Sequence, residues 1–506
     1  MTFFIYTLKI IIMEQNLSLE QIQNFKGKYP RQLWYLFTVE MWERFCFYGM
    51  RGVLTFFMVD QLLLKDEAAN LQYGAIQAFV YAFTFVGGIF ADKVLGFKKS
   101  LFFGGIVMIL GNLLIAFAPQ QLFYYGLAFS IIGTGFFKPN ISSMVGELYH
   151  ESDHRRDAGY GMFYAGINIG GFFGGILCIY LGKYYSWQLC FLSAAIVMMF
   201  GLLTFLFTKK HLGPIGDSPL LHLEPSKRKF REIAVYIGSL LSIPLIFIMV
   251  KNTDYTDYFM YTIGIIAVIY FLYEVIKLGD VKLQKKMIAA FTFIFFYLVF
   301  NAIYEQSGGS LSLFAKDNLS YDLLGFTVDP NAVNNSSNTL FVVIFSPLVG
   351  LLWLWLAKKK IEPNTLIKFG IGFLFLSASF YIFYYTKFFA DVNGITSLNV
   401  FTFAYLVTTI GELCLGPIGM SIITKLSPKR LFGMMMGLWF LASAFGQLFA
   451  GKLGAEISKS NTGTTLMSKL QSYTDGYYQL AIYSLVAGLI LIAISPLIRK
   501  LMQEVK

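Results

Sequence analysis

About fourteen separate stretches of this chain each run close to 20 mostly apolar residues, the length an α-helix needs to cross a lipid bilayer. They begin near Leu33, Leu71, Leu101, Leu122, Gly159, Gln188, Ile233, Tyr258, Met287, Thr339, Leu366, Val400, Leu431 and Tyr477. Lone strands cannot span lipid, because their backbone groups go unpaired, and the runs are too long and continuous for barrel strands. Only 14% of the 506 residues are charged and 56% are apolar, so charge cannot coat the surface and lipid must cover most of it. The sequence predicts an all-α integral membrane protein. Cys46, Cys178, Cys190 and Cys414 fall inside apolar runs without CxxC spacing and read as packing thiols.

The formal charge of +11 raises the question of nucleic acid, but the basic residues distribute as a membrane topology does. With the N-terminus inside, 29 Lys and Arg fall on the cytoplasmic side and 8 on the other, leaving Arg44, Arg51 and Lys138 within the membrane. A buried cation costs about 2.5–3.5 kcal/mol even on lenient scales, so those three are expected to face a wet cavity or a partner. The stretch Lys209 to Arg231, with Gly213, Pro214, Gly216 and Pro225, breaks the helical pattern and reads as a cytoplasmic linker.

The implied layout is a cytoplasmic segment over 1–32, a six-helix bundle over 33–208, the linker with two inserted spans over 209–285, and a second six-helix bundle over 286–506. Two six-helix halves suggest alternating access, although no strict internal repeat is visible in the residues. The apolar run Thr2 to Ile12 is too short to span and lacks a cleavable small-residue site, which leaves Met13 as an alternative start.

Glu40, Glu43, Arg44, Phe47, Tyr48 and Arg51 share one face of the first span. Four ionisable groups on one face are tolerated only where that face lines a cavity and the charges meet partners. Such a stripe suits proton-coupled binding: arginines hold a carboxylate by paired hydrogen bonds, and glutamates titrate as their cations come and go. Lys138 lies mid-span in Gly133-Thr134-Gly135-Phe136-Phe137-Lys138-Pro139-Asn140, where small residues admit close helix approach, and its expected partner is the glutamate pair.

These residues resemble the proton-dependent oligopeptide transporters of the major facilitator superfamily. Glu40-x-x-Glu43-Arg44-Phe45 is similar to that family's first-helix motif. Gly87-Gly88-Ile89-Phe90-Ala91-Asp92-Lys93-x-x-Gly96 and Phe163-Tyr164-x-x-Ile167-Asn168-x-Gly170 resemble its second- and fifth-helix signatures. Tyr304-Glu305-Gln306, Gly411-Glu412-Leu413-Cys414 and Met434-Met435-Met436-Gly437-Leu438-Trp439-Phe440 follow in the family's order. The resemblance implies two six-helix bundles plus two inserted helices, fourteen spans in all.

It also implies roles. Arg44, Tyr48 and Lys138 would hold a peptide's carboxylate, and Asn168, Asn338 and Glu412 its ammonium group. Tyr81 and Trp439 would form pocket walls, Arg51 and Glu305 an outer gate, and Glu40, Glu43, Arg44, Lys138 and Glu305 the proton-coupling set. Asn301, Gly416 and Thr339 depart from the residues common at those places, Trp, Ser and Pro, which bears on side-chain preference.

An enzyme is disfavoured, because no H-x-x-x-H cluster, Walker loop or Ser-His-Asp arrangement occurs and His150, His154, His211 and His222 all lie in loops. Without a Walker loop the energy source is an ion gradient. The expectation is a proton-coupled symporter of di- and tripeptides in a bacterial cytoplasmic membrane, with both termini cytoplasmic. It would act as a monomer, with no cofactor besides the coupling proton and no nucleic-acid partner. Carriage of nitrate or another non-peptide solute is the alternative.

Overall fold

The computed structural model describes residues 17–150, 153–459 and 465–503; the run Thr2 to Ile12 and Met13 lie outside them. Fourteen long helices carry the fold: α1 Arg31–Asp60, α2 Asp66–Phe90, α3 Phe97–Phe117, α4 Phe123–Glu147, α5 Arg155–Tyr184, α6 Trp187–Thr208, α7 Pro225–Lys251, α8 Thr253–Lys277, α9 Val281–Tyr304, α10 Pro330–Lys358, α11 Thr365–Tyr385, α12 Leu398–Leu426, α13 Phe432–Lys459 and α14 Leu466–Met502. Twelve of these are long and apolar enough to cross a membrane. The other two are α1 and α4, the helices that hold the mid-span charges, so the expected fourteen spans are reached only by counting two helices that fall short in apolarity.

Most helices start earlier than the apolar runs. α10 begins at Pro330, where the Asp329 carboxylate accepts from the amides of Asn331 and Ala332. α7 begins at Pro225, so the last residues of the expected linker are helical rather than irregular. Proline at the first turn has no amide to leave unpaired and is preset for the helix. The apolar run thus marks where lipid begins, and the cap marks where the helix begins.

Two bundles emerge from the packing. In the first, α1 packs on α5 and α6, α3 on α4 and α6, and α2 on α4; in the second, α9 packs on α13 and α14, α11 on α12 and α14, and α10 on α12. Each of these five pairs in the first bundle has its counterpart eight labels later, so the repeat that residues conceal is present in the packing. The bundles meet through α2 with α13 and α5 with α10, contacts that exchange under the same relation. The hairpin α7–α8 leans on the outside, with Ile265, Ile266 and Ile269 of α8 exposed as lipid-facing side chains. Cys46, Cys178, Cys190 and Cys414 are buried.

Glycine sets the closest approaches. A Cβ at Gly135 of α4 would meet the Phe83 carbonyl oxygen of α2 at 2.6 Å, and on α5 a Cβ at Gly166 would meet the Phe37 ring of α1 at 2.9 Å. The small residues around Lys138 therefore act as the sequence suggests, by admitting a neighbouring backbone.

Candidate functional site

α9 ends at Tyr304, and a tight turn, Glu305–Gly308, docks on the first bundle. Glu305 is ion-paired with the Arg51 guanidinium, whose Nε also donates to the Tyr73 hydroxyl at 2.7 Å. Thr55 donates to the Gly308 carbonyl one helical turn on. Further links between the bundles gather on this face, which carries Asp60: Lys316 pairs with Asp60, Lys183 with Asp329 at 3.0 Å, and Tyr473 donates to Asp66 at 3.1 Å. At the opposite face, which carries the linker, no hydrogen bond or ion pair joins the two bundles among the described residues. A cleft separates them there, with Arg156, Asp157 and Tyr160 on one side and Ser421, Thr424 and Met436 on the other.

Beneath the Arg51–Glu305 pair lies a central cavity of about 200 Å³ between the bundles. It brings together Tyr48, Arg51, Tyr81, Asn168, Glu305, Asn338 and Glu412. Glu412 Oε2 accepts from Asn338 Nδ2 at 2.8 Å and from the Tyr304 hydroxyl at 2.7 Å. That leaves a carboxylate oriented by two donors at one wall and an arginine held by a carboxylate at the other. Such a pocket suits a solute bearing both signs of charge.

The charged stripe of α1 does not reach this cavity as a unit. Tyr48 and Arg51 line it, whereas Glu40, Glu43 and Arg44 are at most 1% exposed and form a closed cluster. Arg44 Nε lies 3.1 Å from Glu40 Oε1 and is ion-paired with Glu43. The expectation that the whole stripe faces a cavity is corrected, for a packing reason: Gly166, Gly170 and Gly174 bring α5 flush against α1, with Gly170 under the Met41 carbonyl and Arg44. Contact is close but hydrogen bonding is incomplete. Glu40 Oε2, both Glu43 oxygens, and Arg44 Nε and Nη2 are buried without a well-directed partner. Buried charges left this way are costly and point to a state in which protons or new partners satisfy them.

Lys138 makes no ion pair with Glu40 or Glu43, contrary to expectation; its Nζ sits 4.8 Å from the centre of the Tyr81 ring. Pro139 follows it inside α4, and the ammonium stands over this α2 ring without forming a direct pair to either glutamate. Trp439 is also displaced from its expected wall position. It is 4% exposed and lies behind Tyr297, ring on ring with centroids 3.8 Å apart, so Tyr297 forms the wall.

The sequence reading gave no role to Tyr164, Tyr297, Asn334 and Asn335, all of which line the cavity, as does Asn301, the departure tied there to side-chain preference. A signal existed for two of them. Asn331, Asn334, Asn335 and Asn338 recur at helical spacing in the first turns of α10, just ahead of its long apolar run.

Comparison with known proteins agrees with this architecture. The POT family model, PTR2, matches residues 98–474. An uncharacterized transporter, YclF, of Bacillus subtilis (strain 168) is 33% identical over 491 residues, covering 94% of this chain and 96% of its own. Dipeptide and tripeptide permease A of Erwinia pyrifoliae is 29% identical over 94% of this chain and 96% of its own. Among solved structures, a mutant of peptide transporter POT in complex with alafosfalin superposes with a TM-score of 0.83 at 30% identity, covering 96% of this chain and 100% of that one. The fold is of the major facilitator type, and the protein is a multi-pass membrane transporter, not an enzyme. The chain belongs to the POT family.

Proposed function

We propose that this transporter is a proton-coupled symporter that imports di- and tripeptides by alternating access, acting as a monomer in a bacterial cytoplasmic membrane. The excess of Lys and Arg at the linker face supports assigning that face and both termini to the cytoplasm, which makes the Asp60 face the outer one. The arrangement described is then closed outward and cleft inward.

The observation that carries this reading is the cavity's pair of opposed sites, Glu412 with its donors on one side and Arg51–Glu305 on the other. Asn168, Asn338 and Glu412 receive the peptide's ammonium group. Its carboxylate is taken by Tyr48, Lys138 and Arg44, and Arg44 becomes available only when it leaves the glutamates. Protonation of Glu43 removes one of the two negative charges that retain it. Peptide and proton thereby favour the same rearrangement, which is the linkage that coupling requires. Glu40 holds the remaining countercharge, while Tyr81 and Tyr297, the latter backed by Trp439, flank the cargo. Protonation of Glu305 weakens its pair with Arg51 and releases the outer gate.

Uptake of labelled dialanine into proteoliposomes under an imposed inward proton gradient tests the proposal. Accumulation that a protonophore abolishes is expected. Uptake of nitrate in its place, or peptide uptake indifferent to the gradient, refutes it.

A further inference from the structure

Three asparagines in the cavity wall are oriented alike. Asn168 Nδ2 donates to the Tyr164 carbonyl at 2.9 Å, and Asn301 Nδ2 to the Tyr297 carbonyl at 2.8 Å. Asn338 Nδ2 donates to Glu412 at 2.8 Å and to Thr409 Oγ1 at 3.2 Å. A carbonyl or carboxylate oxygen only accepts, so these contacts fix which end of each amide is nitrogen and which is the accepting Oδ1. All three residues line the cavity. The one cation in the lining among the described residues, Arg51, is already engaged by Glu305 and Tyr73. The wall therefore sets amide acceptors beside the hydroxyls of Tyr48, Tyr81 and Tyr164.

Asn168 and Asn338 stand with Glu412, where the ammonium end is placed. Asn301 stands apart, on α9 one turn before Glu305, in the wall shared with Tyr81 and Tyr297. Its stem is pressed on α13, since a Cβ at Gly446 would come within 2.5 Å of the Asn301 Cβ. That packing and the bond to its own helix hold the amide in one pose, so its oxygen acts as a fixed acceptor.

We infer that Asn301 is a specificity residue that favours peptides whose side chain carries N–H donors, amide or ammonium, over aliphatic side chains of equal length. An aliphatic chain lying against Oδ1 strips it of water and returns no hydrogen bond, whereas a donor restores one. This deepens the peptide-transport reading and rests on it.

The test is competition with labelled dialanine uptake in proteoliposomes by alanyl-glutamine, alanyl-lysine and alanyl-norleucine, which differ in side-chain donors at similar length. In the wild-type protein the two donor-bearing peptides are expected to inhibit at concentrations about tenfold lower than alanyl-norleucine. Asn301→Leu is expected to bring that ratio to about one. Asn301→Asp is expected to raise the preference for alanyl-lysine over alanyl-glutamine, a gain that a misfolded variant cannot mimic. Equal inhibition by all three peptides in the wild-type protein overturns the inference whatever the variants do. Failure to accumulate dialanine at all would instead refute the transport reading.

Discussion

Arg44 and Arg51 share one face of α1, yet they sit in opposite kinds of surroundings. Arg44 and both its carboxylates, Glu40 and Glu43, belong to the same helix and are sealed by α5. Arg51 reaches across to Glu305 on the other bundle and lines the cavity. A cluster within one helix keeps its composition when bundles rock, so it responds only to protons or to a ligand that draws Arg44 away. A pair across the bundles must break for that face to open. On the proposed reading, coupling falls to the first region and gating to the second.

The largest effect should follow from Glu43→Gln. With one countercharge of Arg44 permanently removed, proton-driven accumulation of dialanine should fall to the equilibrium level, while counterflow exchange persists. Retained accumulation would remove Glu43 from coupling and erase the distinction between the two regions. Next is Glu305→Gln. Losing the charge that faces Arg51 should shift the outer face toward open by about 3 kcal/mol, roughly a hundredfold in population. Thiol labelling of a cysteine placed at the cavity-lining residue Ser307, from the Asp60 side, would read that shift. Labelling unchanged from the same single-cysteine protein with Glu305 intact would mean that the pair does not gate.

Glu412→Gln sharpens the comparison at the far wall. It should weaken zwitterionic dialanine about tenfold while affecting the N-acetylated peptide much less, because only the former presents an ammonium group. Equal losses in a competition assay would show that Glu412 does not read the amine. The smallest effect belongs to Lys316→Ala. Its pair with Asp60 is 23% and 35% exposed at the two side chains, so its loss should shift the gate by less than about 1 kcal/mol. A change in labelling as large as that of Glu305→Gln would mean that rim pairs, not Arg51–Glu305, hold the face closed.

The spans were legible in the residues because apolar runs of bilayer length have few alternatives. Their ends were less so: Pro225 and Pro330 start helices well ahead of the apolar residues, and capping rather than hydropathy decides that. The charged stripe of α1 was legible as a face, but not its division. What divides it is the spacing of Gly166, Gly170 and Gly174, a small-residue row that marks close helix packing and that, read alongside the stripe, would have placed Arg44 in an interface. Lys138 and Trp439 were misplaced for a different reason. Which neighbour a side chain meets across a helix interface depends on rotation of a few tens of degrees, which no single-helix pattern encodes. The asparagine face of α10 follows the rule applied to α1, but uncharged amides cost far less to bury than charges and so demand a cavity less strongly.

The claim tested most directly is that the Arg51–Glu305 pair holds the outer face closed. Leu63 and Val392 are 83% and 92% exposed on that face, on opposite bundles. Spin labels at these two positions, with pulsed dipolar distances recorded with Glu305 intact and in Glu305→Gln, read the closure of that face. A single short distance with Glu305 intact and a longer population in Glu305→Gln are predicted. A distance distribution that ignores the substitution would contradict it.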